Sequence, residues 1–96
     1  MKKRLSPEEQ KLYKRIDEIL FYRWDPIGIS DSDWPRDEYT TYVPQVFKIA
    51  LENDEPEPIA EYLCKIETDY LDMKGRKYFN MRVAELVLDI KFGMEL

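Results

Sequence analysis

The sequence predicts an all-α single domain, either a small four-helix bundle or an irregular helical array, on three observations. Apolar residues recur at intervals of three and four in four segments. Proline, glycine and charged turns separate those segments, and no stretch alternates apolar and polar residues as a half-buried strand would. With 96 residues, 44% of them hydrophobic and 36% charged, the chain is long enough for one modest core and has a globular rather than a disordered composition.

The first helix signal is Ser6-Pro7-Glu8-Glu9: a hydroxyl at the N-cap, a proline where its missing N–H costs nothing, and a glutamate placed to complete a capping box. Residues 1–5 precede it and are expected to form a flexible N-terminal tail. Leu12, Tyr13, Ile16, Ile19, Leu20 and Trp24 give the first helix one apolar face, and Asp25-Pro26 ends it, because proline disfavours a helical conformation in the residue before it. A connection dense in Trp, Pro, Gly and Asp follows, from Trp24 to Pro35. Tyr39, Tyr42, Val43, Val46, Phe47 and Ala50 then keep helical spacing across Pro44, which predicts one kinked helix or two short helices meeting at Val43-Pro44. Asp37 and Glu38 fall in its first turn, where the helix dipole favours negative charge. Glu52 to Pro58 is an acidic, proline-marked loop, with Pro58 suited to the first turn of a third helix. That helix carries the stripe Ile59, Tyr62, Leu63, Ile66 and Tyr70. Lys74-Gly75-Arg76-Lys77 reads as a solvated basic turn. A fourth helix begins near Tyr78 and runs through Val83, Ala84, Leu86, Val87, Ile90 and Lys91, with Gly93 expected at C′.

The net charge of −5 is unevenly spread. Residues 1–15 carry six basic against two acidic side chains, residues 16–72 four against fifteen, and residues 73–96 five against three. An acidic middle of this kind repels nucleic acid, draws a basic partner by long-range steering, and also serves solubility. No apolar run reaches the roughly 18 residues of a membrane span. The single Cys64 cannot form an internal disulfide, and polar residues stand where a signal peptide would have its apolar run, so the expected location is the cytoplasm.

Most enzyme chemistries lack their residues. Without any histidine there is no imidazole for a triad or a His-containing zinc site. Gly28, Gly75 and Gly93 are too scattered for a phosphate-binding loop. Asp31-Ser32-Asp33 begins like a calcium loop, but Pro35 and Arg36 occupy the positions that need an oxygen ligand and a glycine. Cys64 lies beside the apolar stripe of the third helix and reads as a small buried thiol. No cofactor or metal is expected.

Trp24-Asp25-Pro26-Ile27-Gly28-Ile29, followed by Asp37-Glu38-Tyr39-Thr40-Thr41-Tyr42-Val43-Pro44, resembles the paired WDPxG and EYxxYVP signatures of a family of small bacterial all-helical proteins of unknown function. Ile59 to Glu67 resembles that family's third helix. The resemblance covers about residues 15–90 and is loose after Met73. It implies an all-α fold without assigned activity and, for some members, an immunity-type role in neutralising a toxin. The residues themselves support a structural part for the motif. Trp24 is expected to anchor the end of the first helix, Asp25 to accept hydrogen bonds at the turn begun by Pro26, and Gly28 to supply a backbone angle closed to other residues. Tyr39 and Tyr42 are expected to pack beneath that loop, and Pro44 closes the second signature as part of the same structural motif.

The resulting expectation is a non-enzymatic acidic interaction protein, immunity-like, binding a basic protein partner such as a toxin, with no nucleic-acid or membrane partner. Its candidate contacts are Asp31, Asp33, Asp37, Glu38, Glu52, Asp54, Glu55, Glu57 and Glu61. The alternative is a helical ligand-binding or enzymatic domain centred on Trp24, Asp25, Tyr39 and Tyr42 beside the Trp24–Pro35 connection. A monomer or a weak homodimer built on exposed aromatic residues fits either reading.

Overall fold

The structure, a computed structural model, describes residues 4–26, 28, 38–94 and 96. Four α-helices carry the described chain: α1 Pro7–Ile19, α2 Val43–Glu52, α3 Glu57–Asp69 and α4 Lys77–Gly93. A π-helical turn at Leu20–Trp24 extends α1, and a 3₁₀ turn at Thr40–Tyr42 leads into α2. Among the described residues no strand is present.

At α1 both halves of the capping box form: the Glu9 amide donates to Ser6 Oγ at 3.1 Å, and the Ser6 amide donates to Glu9 Oε1 at 2.8 Å. Leu5, expected in the tail, instead packs half-buried against the core. Past Ile19 the helix widens, and the Asp25 amide reaches back five residues to the Leu20 carbonyl at 3.0 Å. In the wider turn Leu20, Phe21 and Trp24 all face inward, while Tyr22 and Arg23 face water. Asp25 ends the turn in the left-handed region at φ 30°, ψ 61°, a conformation that aspartate tolerates better than most residues.

The chain resolves the choice at Pro44 in favour of two short helices. Pro44 sits in the first turn of α2, where no intrahelical donor is needed, and the Val43 amide caps the preceding 3₁₀ turn by donating to Thr40. At the other end of α2, Asn53 turns extended and its amide side chain donates to the Ile49 carbonyl at 3.0 Å. Pro58 lies in the first turn of α3, as expected. Gly93, expected to follow α4, is its last helical residue. Met94 is the cap, and its amide reaches the Ile90 carbonyl from an ordinary right-handed conformation, so no glycine is required.

The helices enclose one core. Trp24, Leu12, Ile16, Leu20, Val46, Ile59, Leu63 and Val87 are completely shielded from solvent. Burial of each aliphatic side chain of this kind contributes roughly 1.5–3 kcal/mol before entropy is counted. The Cα radius of gyration, 13.1 Å, is what a chain of about 100 residues reaches around one core. The α3 stripe departs from expectation at its end: Tyr70 is exposed, because α3 stops at Asp69 and the chain turns away there.

Candidate protein-binding surface

Core spacing along α3 runs Ile59, Leu63 and then Glu67, each four residues from the last and so on one helix face. Glu67 is therefore carried into the interior, where it is fully buried. Five hydrogen bonds meet its carboxylate. Trp24 Nε1 donates to Oε2 at 2.9 Å, and the Arg76 amide and Asn80 Nδ2 each donate to Oε1 at 2.9 Å. Arg76 Nε and Nη2 donate to Oε2 at 3.0 and 2.8 Å. Arg76 Nη2 also donates to the Trp24 carbonyl at 2.9 Å, so one guanidinium ties the π turn to the end of α3 and the start of α4. Burial by itself would raise the Glu67 pKa. The backbone and side-chain bonds from Arg76, the Asn80 bond and the Arg76 charge outweigh it, and the carboxyl is held below its ordinary range. Arg76 thus departs from the solvated basic turn expected of residues 74–77.

The chain between α3 and this clamp is tightly constrained. The Met73 amide returns to the Glu67 carbonyl at 2.8 Å, and Asp72 takes the left-handed region at φ 53°. A β-carbon on Gly75 would lie 3.2 Å from the Cys64 β-carbon, so this glycine is set by close approach to α3. Cys64 is half-buried rather than enclosed, and Asn80 Nδ2 donates to its sulfur at 3.2 Å.

On the opposite side of Trp24 the corner motif packs as rings. Tyr39 and Tyr42 lie 5.4 and 5.8 Å from the indole centroid, and the Tyr39 hydroxyl donates to Asp25 Oδ1 at 2.8 Å. The Gly28 amide donates to the Asp25 carbonyl at 3.1 Å, closing the turn that contains Pro26, and Gly28 sits at φ 69°. Trp24 and Tyr39 are buried core residues, and Tyr42 is half-buried. The rest of the Trp24–Pro35 connection, Ile27 and residues 29–35, lies outside the described residues.

The candidate acids among the described residues do not all converge on one patch. Asp31, Asp33 and Asp37 lie outside the described residues. Glu38 is exposed before the N-terminal end of α2, where its charge, after burial, helps raise the Tyr42 pKa. Glu52, Asp54, Glu55 and Glu57 are exposed at the opposite end of that helix, about 15 Å away for its ten residues, and Glu61 is exposed one turn further along α3. Glu57 and Glu61 flank a cavity of about 430 Å³ with an apolar floor of Ala60, Cys64 and Met81 and with Gly75 and Lys77 on its α4 side. Asp54 is already engaged: Lys91 Nζ meets its Oδ1 and the Asn53 carbonyl, each at 3.1 Å.

No family model, curated protein or solved structure matches the chain. Among the described residues no group of three or more Cys, Asp or Glu side chains is placed to hold a metal ion, and no helix is long and apolar enough to cross a membrane. Sequence reasoning listed Glu57 and Glu61 but missed the cavity between them. Its floor is set by the approach of α4 to α3, and the one local signal was Gly75, a small residue that comes close to Cys64.

Proposed function

We propose that this chain is a non-enzymatic protein-binding module whose acidic end, from Glu52 to Glu61, receives a basic protein partner. The observation that carries the reading is the pairing of exposed carboxylates Glu57 and Glu61 with the cavity of about 430 Å³ beside them. A lysine or arginine of the partner would lay its aliphatic stem on Ala60, Cys64 and Met81 and leave its charge between the two glutamates. Rim carboxylates at Glu52 and Glu55 would speed encounter more than they hold the complex. The resemblance of the WDPxG and EYxxYVP signatures to a family with immunity-type members makes a cytoplasmic toxin inhibitor, acting as a monomer or a weak homodimer, the specific form of this reading.

The test begins by identifying a partner that co-purifies with the tagged chain from its own host and titrating the two purified proteins. The Glu57→Lys/Glu61→Lys double variant should weaken binding at least tenfold and leave the helical circular dichroism intact. Added salt should slow association of the parent protein. Unchanged affinity in the double variant rejects the reading.

A further inference from the structure

The side of the molecule formed by α1 and α4 has the opposite chemistry. Two cavities of about 180 and 400 Å³ adjoin at Tyr22, Arg23 and Leu86, which line both, and together they make a broken groove along the α1–α4 seam. Val83 and Leu86 lie in its floor, and Tyr22 and Phe79 stand in its walls, 59% and 40% exposed although both are large aromatic residues. Three arginines line it, Arg15, Arg23 and Arg82, all exposed. Among the described residues Glu18 is the one acid in the lining, 3.9 Å from Arg15. Arg76 stacks on the outer wall, 4.2 Å from the Phe79 ring centroid. In a chain of net charge −5, this excess of arginine is local.

We infer that this groove docks an acidic amphipathic helix of a protein partner, independently of the acidic end. Aromatic residues and arginine around an apolar floor are the composition enriched at the centres of protein interfaces. From Phe79 to Ile90, α4 offers about 16 Å of groove, the length of roughly three helical turns. An occupant with apolar residues at i, i+3, i+4 and i+7 fills the floor, and glutamates on its flanks meet Arg15, Arg23 and Arg82. A single-stranded nucleic acid fits less well, because the floor of Val83 and Leu86 is aliphatic and the two rings, Tyr22 and Phe79, stand in the walls rather than forming a row on which successive bases could stack.

The experiment titrates the full chain with a blocked 14-residue helical peptide carrying leucines at those four spacings and glutamates on both flanks. A lysine-for-glutamate version of the peptide and a 15-nucleotide oligothymidine run in parallel, followed by amide chemical-shift mapping and fluorescence anisotropy. The expected result is saturable binding of the acidic peptide with shifts confined to Tyr22, Arg23, Phe79, Arg82 and Leu86, and at least tenfold weaker binding by Arg23→Glu/Arg82→Glu. The Glu57→Lys/Glu61→Lys variant should bind this peptide unchanged, which separates failure here from failure of the acidic end. If the glutamate variant fails to fold by circular dichroism, Arg23→Gln/Arg82→Gln replaces it, with a smaller but measurable loss. Equal binding of the lysine peptide, shifts away from the groove, or no binding overturns the inference. Tighter binding of the oligonucleotide reassigns the groove to nucleic acid. Concentration-dependent dimerisation lost in Arg23→Glu/Arg82→Glu reassigns it to a second copy of the chain.

Discussion

Two connections meet at Trp24, and they hold it by different forces. On one side Tyr39 and Tyr42 pack their rings against the indole, and the Tyr39 hydroxyl donates to Asp25 at the corner. On the other, Glu67 and Arg76 take up the indole N–H and the Trp24 carbonyl in a charged cluster with no solvent at its carboxylate. Ring packing is spread over many weak contacts, so losing part of it costs a part. The ion pair is closer to all-or-none on its carboxylate side, because Glu67 is fully buried and without Arg76 would be left charged and desolvated, whereas Arg76 is itself 32% exposed. The fold therefore tolerates change at the corner better than at the α3–α4 junction, although only the corner is built from rare residue types.

The sharpest way to break that comparison is Glu67→Ala. It leaves the buried Trp24 indole N–H without its acceptor and Asn80 with only the Cys64 sulfur, and it takes the carboxylate from Arg76, which at 32% exposed turns partly to water, so the loss expected in urea unfolding is about 2–4 kcal/mol. Glu67→Gln keeps the shape, returns some of the acceptors and should lose less. A loss below about 1 kcal/mol for the alanine variant would mean that the cluster is solvated and that the two connections do not differ in kind.

Acid sharpens it further. The carboxyl of Glu67 titrates below its ordinary value of 4.5 in the folded chain, because the Arg76 and Asn80 bonds overcome the opposing effect of burial. The folded state thus holds fewer protons than the unfolded state as pH drops through that range. The stabilisation is fully present above pH 4.5 and is lost as pH falls through the folded pKa. Urea midpoints measured from pH 7 downward should decline more steeply in the parent than in Glu67→Gln, which has no proton to gain at this position. Parallel declines would assign the acid sensitivity to other carboxylates.

At the corner the effect should be smaller. Tyr39→Phe removes one hydrogen bond to a partly exposed carboxylate and leaves the ring stacked on Trp24, so about 1–2 kcal/mol is expected by thermal or urea unfolding. A loss equal to that of Glu67→Ala would mean that the corner depends on Asp25 as strictly as the junction depends on Glu67.

The same contrast explains what could be read from the residues alone. The four helices, the capping box and the stop at Asp25-Pro26 depend on neighbours a few positions apart, and spacing, proline and glycine report those directly. The π turn left no such mark: Leu20, Phe21 and Trp24 would share a face in a regular α-helix as well, so their spacing does not report the widening. Glu67 was hidden for a related reason. It sits four residues beyond Leu63, so the core stripe itself pointed to it, but a glutamate there reads as solvated until its partners are known, and they lie 43 residues before it at Trp24 and 9 after it at Arg76. The candidate acids show the converse: clustering in sequence around residues 31–61 did not bring Glu38 near Glu52–Glu61, because α2 lies between them.

The smallest effect should come from the other buried charge. Lys91 is as enclosed as a core leucine, 3% exposed, yet its ammonium emerges at the acidic end to meet Asp54, which is 81% exposed, and the Asn53 carbonyl. Its charge is therefore compensated at the water boundary rather than in the interior. Asp54→Asn should cost less than about 1 kcal/mol, since an exposed carboxylate gives up little Coulomb energy that water does not replace and the carbonyl contact to Lys91 survives. Lys91→Met, which keeps the packed stem and removes the buried cation, should stay within about 1 kcal/mol of the parent in either direction. If it instead costs as much as Glu67→Ala, the rule drawn from Trp24 fails: a buried charge that reaches the surface would matter as much as one sealed within the core, and depth of desolvation would not be what separates the two.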